Sequence, residues 1–88
     1  MRDSCLFCYR KHVSQAIILL IESKLGYPEH ADLAVGHLAE AESETIKDYP
    51  ELAELTREER VKLMEDDTYN PNLMALLAKA RQLLAGKK

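Results

Sequence analysis

The chain has 88 residues, a formal charge of −3, and a composition that is 47% hydrophobic and 31% charged. That balance excludes disorder, and the length gives a single helical domain, residues 1–88, that buries only about 60–65% of its unfolded surface. Twelve basic against fifteen acidic side chains leave no cationic excess for a phosphate footprint, so nucleic acid is disfavoured as a partner.

Residues 1–44 carry four basic and seven acidic groups, and residues 45–88 carry eight of each. The longest purely apolar run, Ala16 to Ile21, has six residues against the roughly 20 that span a bilayer, so no membrane is expected. Met1 to Cys5 contains no apolar region of the signal-peptide kind. A cytoplasmic, reducing location is therefore expected, where two nearby thiols are better suited to metal or redox chemistry than to a permanent bridge.

Glycine and proline number three each, too few to punctuate a sheet. The pattern predicts an all-α bundle. From about residue 8 to 25, apolar positions recur at three and four: Val13, Ile17, Leu20 and Ile21, widened by Ala16 and Leu19. A stripe so broad predicts a central helix touched on several sides, or one whose Val13, Ile17, Leu20 and Ile21 also meet a second subunit. Gly26 stands where a C′ residue ends a helix. Pro28 restarts the chain at a first helical position, giving a second helix over about 28–47 and an antiparallel hairpin with a three-residue connection. Gly36 inside that helix is a candidate for close helix crossing. Thr56-Arg57-Glu58-Glu59 fits a capping box before a short helix over about 57–65. Asn70-Pro71 predicts the start of a last helix over about 71–85, with Asn70 as N-cap.

Cys5-x-x-Cys8 with His12 is the constellation that carries chemistry. Two cysteines separated by two residues form half of a tetrahedral zinc site, and Cys8 and His12 share a helix face at i and i+4. For the fourth ligand, imidazole chemistry favours His37. Helix level favours Glu40 or Glu44 instead, because in a hairpin turning at Tyr27 residues whose numbers add to roughly 55 lie level, placing His12 opposite Ser43. His30 lies too close to the turn. Glu40, Glu42 and Glu44 read together as a solvated acidic face. No catalytic motif is present, and no strand precedes the CxxC pair as it does in thiol oxidoreductases.

The expected function is a small non-enzymatic helical module, structural or regulatory, held by a Cys5/Cys8/His12/His37 zinc site and acting through protein contacts as a homo-oligomer or assembly subunit. A metal-dependent or thiol-redox enzyme built on Cys5, Cys8 and His12 is the alternative. A third reading is nucleic-acid binding through the basic end of the last helix, with Lys79, Arg81, Lys87 and Lys88.

Overall fold

A computed structural model describes residues 3–86. It holds four helices: α1 (Leu6–Lys24), α2 (His30–Ser43), α3 (Pro50–Glu65) and α4 (Leu73–Gly86). They form a compact all-α four-helix bundle in which α1 packs on α2 and α4, and α3 closes the other side against α2 and α4. No strand occurs among the described residues, as the composition predicts. Lys87 and Lys88 lie outside the described residues.

The core is leucine and alanine around a single buried tyrosine. Tyr9, Val13 and Ala16 of α1 are fully buried, as are Ala34, Leu38 and Ala41 of α2. Alanines at facing positions let the two backbones approach closely, while each fully buried leucine or valine contributes about 1.5–3 kcal/mol of transfer free energy. Gly36 plays no part in that crossing. It is exposed, and a Cβ built there would meet nothing within 4 Å.

Each helix boundary is set by local chemistry. α1 starts two residues before the expected position because Cys5 is its N-cap, with Sγ accepting from the Cys8 N–H at 3.1 Å. α1 ends as the sequence predicts: Gly26 has φ +123°, and the Tyr27 N–H returns to the Glu22 carbonyl at 3.2 Å, the long bond of a Schellman cap. Pro28 and Glu29 are turn residues, so the connection covers 25–29 and α2 starts at His30. α2 stops at Ser43, short of 47, where the buried Thr45 hydroxyl bonds the carbonyls of Ala41 and Glu42. A bonded hydroxyl of this kind competes with the helix ladder.

The later half departs further from expectation. α3 begins at Pro50, not at 57. Proline at N1 after Tyr49 is the true start, and Thr56 lies mid-helix, fully buried, its hydroxyl donating to the Leu52 carbonyl at 2.7 Å. The capping box is not used. α4 begins at Leu73, two residues later than expected, because Asn72 rather than Asn70 caps it: Asn72 Oδ1 accepts from the Ala75 N–H at 3.3 Å. Gly86 is inside α4 rather than beyond it.

Candidate functional site

The Gly26 turn fixes the register of the α1–α2 hairpin. Once Tyr27 is tied back to Glu22, both helices rise at the same rate, and level residues have numbers that add to roughly 49 rather than 55. Two contacts obey this rule. The Cys5 N–H donates to the Glu44 carbonyl at 2.9 Å, and His12 Nδ1 lies 3.2 Å from His37 Nδ1. Ser43 is not opposite His12, as it would be if the chain advanced through the turn. The Schellman cap folds it back instead.

The histidine pair is half-buried, with ring centroids 5.5 Å apart and planes tilted by 37°. A hydrogen bond across this contact needs one Nδ1 to donate and the other to accept, so the two rings must hold different tautomers. His30 is far from the pair, as expected: it bonds Glu22 at 2.8 Å and stacks on Tyr27 beside the turn.

Cys5 and Cys8 lie at the head of α1, and their sulfurs are joined in a disulfide with Cα atoms 5.2 Å apart, in place of the two thiols expected from the sequence. Cys8 precedes His12 by one turn on the same face of α1. Among the described residues, no group of three or more His, Cys, Asp or Glu side chains converges closely enough to hold a metal ion. The structure thus brings His12 and His37 together and Cys5 and Cys8 together, as two pairs.

The carboxylates considered as alternative ligands are dispersed. Glu40 is exposed, whereas Glu44 is 7% exposed at the end of α2. Glu42 is not part of a solvated face. Its Oε1 accepts from Arg60 Nε at 3.1 Å and Nη2 at 2.8 Å, linking α2 to α3. A carboxylate oxygen accepting from two N–H groups of one guanidinium in a half-buried cleft is a structural tie.

Of the residues expected at a subunit interface, Val13 and Leu20 belong to the chain's own core and Ile17 packs against it. Ile21 is 55% exposed. A second feature, not expected from the sequence, is a groove of 410 Å³ between α1 and α4 lined by Phe7, Met74 and Leu77 among others. Its signal was the single phenylalanine of the chain, placed between the two cysteines. No described helix is long and apolar enough to cross a membrane. No protein-family model matches the chain, and comparisons with curated proteins and with solved structures gave no significant match.

Proposed function

We propose that this chain is a small non-enzymatic helical interaction module whose Cys5, Cys8, His12 and His37 form a zinc clamp when the cysteines are reduced. The observation that carries this reading is the 3.2 Å separation of the two Nδ1 atoms. Two imidazoles on one tetrahedral zinc, each bonded at about 2.0–2.1 Å, stand about 3.3 Å apart. Cys8 supplies a sulfur one turn away, and Cys5 stands with it at the helix head.

A bonded pair of sulfurs cannot ligate as thiolates. A cellular dithiol delivers two electrons and two protons to the Cys5–Cys8 bond and is itself oxidised to a disulfide; each released thiol then gives up its proton on binding zinc. Zinc so held would tie the N-terminus to the α1–α2 hairpin and add folding free energy that a core this small lacks. Such a module acts through protein contacts in a reducing compartment such as the cytoplasm, as part of a homo-oligomer or a larger assembly.

The test is zinc content and melting temperature of untagged protein, purified without chelator and kept under thiol reductant. About one zinc per chain is expected, with both metal and thermal gain lost in Cys8→Ser and in His37→Ala. Fully reduced protein that takes up no zinc, or binding that survives His37→Ala, overturns the clamp.

A further inference from the structure

We propose that the groove between α1 and α4 docks an acidic amphipathic helix of a partner protein. The inference rests on reading the chain as an interaction module, and it is independent of the zinc clamp.

The floor of the groove is apolar and open. Phe7 is 70% exposed and Met74 67% exposed, and both line it together with Leu77. Its other lining includes Arg10, Lys11 and Arg81, and no acidic residue. This local sign opposes that of the whole chain, whose formal charge is −3. It also opposes the groove at the α2–α3 side, which is lined by Asp32, Glu65, Asp66 and Asp67. Among the described residues, none of the three cations at the α1–α4 groove makes an ion pair, whereas Arg57, Arg60 and Lys62 on α3 each have a carboxylate. Unpaired cations around an exposed aromatic floor complement carboxylates around an apolar stripe.

The length of the groove selects a helix. A second depression, lined by Ile17, Ile21 and Lys24, continues it and shares Met74. From Phe7 to Lys24 the combined trough runs about 25 Å along α1 at 1.5 Å per residue, enough for four to five helical turns. A furrow between two antiparallel helices accepts the ridge of a third. Strand addition is excluded, since the described residues offer no sheet edge. Three cations over an apolar floor are too few and too greasy for a nucleic-acid track. A second copy of this chain is a poorer occupant, because α3, its acidic helix, already engages Glu54 with Arg57 and Glu59 with Lys62.

The experiment is fluorescence polarisation with a labelled synthetic helix carrying leucines at i, i+3, i+4 and i+7 between glutamates, beside a twin with lysine in place of every glutamate. The glutamate peptide should bind saturably, with a Kd on the order of 10 μM, and weaken as salt is raised. Lys11→Glu with Arg81→Glu should weaken it at least about tenfold, as should Met74→Ser, with helicity by circular dichroism unchanged because all three side chains are exposed. Absence of saturable binding, or equal binding of the lysine twin, overturns the proposal. So does preferential binding of a duplex oligonucleotide or phosphatidylserine vesicles, or self-association that Arg81→Glu dissolves. None of these outcomes bears on zinc content, so the two proposals fail separately.

Discussion

Tyr9 and Thr56 meet at the centre of the bundle, 2.7 Å apart, both fully buried and on helices that are diagonal to one another. The direction of the bond follows from the proton count. Thr56 gives its single hydroxyl proton to the Leu52 carbonyl, so Tyr9 is the donor. Removing the acceptor is then worse than removing the donor. Thr56→Val should cost about 1–3 kcal/mol by stranding a buried phenol, and Tyr9→Phe about 0.5–1.5 kcal/mol. The double variant should lose less than the sum of the two. Urea unfolding of the four proteins measures this, and additive losses would deny the bond.

The same burial gives the protein an alkaline limit. Burial pushes the Tyr9 phenol up to about 12 from its ordinary 10.0. The folded state therefore holds this proton more tightly than the unfolded chain. The corresponding stability is complete below pH 10 and is lost as pH rises from 10 towards 12. Unfolding free energies from urea titrations across that window should fall more steeply for the wild type than for Tyr9→Phe, by on the order of 2 kcal/mol. Parallel curves would rule out Tyr9 as the cause.

Glu59 sets an acid limb. Burial raises its pKa, but the Asn72 N–H at 2.9 Å, the Tyr69 hydroxyl at 2.8 Å and nearby Lys62 together outweigh burial and hold it below the usual 4.5. A lowered folded value means stability that is present above the unfolded pKa and lost as pH falls through the folded one. Glu59→Gln should cost about 1–3 kcal/mol at pH 7, and the gap to wild type should narrow below pH 4.5. A gap of constant size would place the effect in packing.

Gly36 offers a gain. It lies on the exposed face of α2, and a methyl group added there meets nothing within 4 Å. Gly36→Ala should stabilise the chain by about 0.5–1 kcal/mol, the helix-propensity difference. Thermal unfolding measures it, and a loss would mean that the position has a contact in solution.

The all-α class and the cap at Gly26 were legible because they depend on spacing within a few residues. The exact pairing of His12 with His37 was not, although both had been singled out. Its register depends on where the chain goes after Gly26: the glycine marks the cap, but not the level at which the Tyr27–Glu22 bond and the following turn set α2 against α1. Thr56 misled for a related reason. Threonine three residues before glutamate satisfies a capping box in sequence, yet Pro50 had already started the helix, and the hydroxyl found Tyr9 instead. The α1–α4 groove escaped notice because its residues come from opposite ends of the chain.

The register also dictates where this chain tolerates a change in length. His12 and His37 are 25 positions apart, and their meeting is a matter of counting. One residue inserted in α1 after His12, or in α2 before His37, turns the intervening helix by about 100° and carries one imidazole away from the other. Insertions at 46–48, beyond both histidines, leave that count untouched. A variant with one residue inserted in either helix between His12 and His37 is therefore expected to lose the imidazole pair, whereas one with an insertion at 46–48 keeps it.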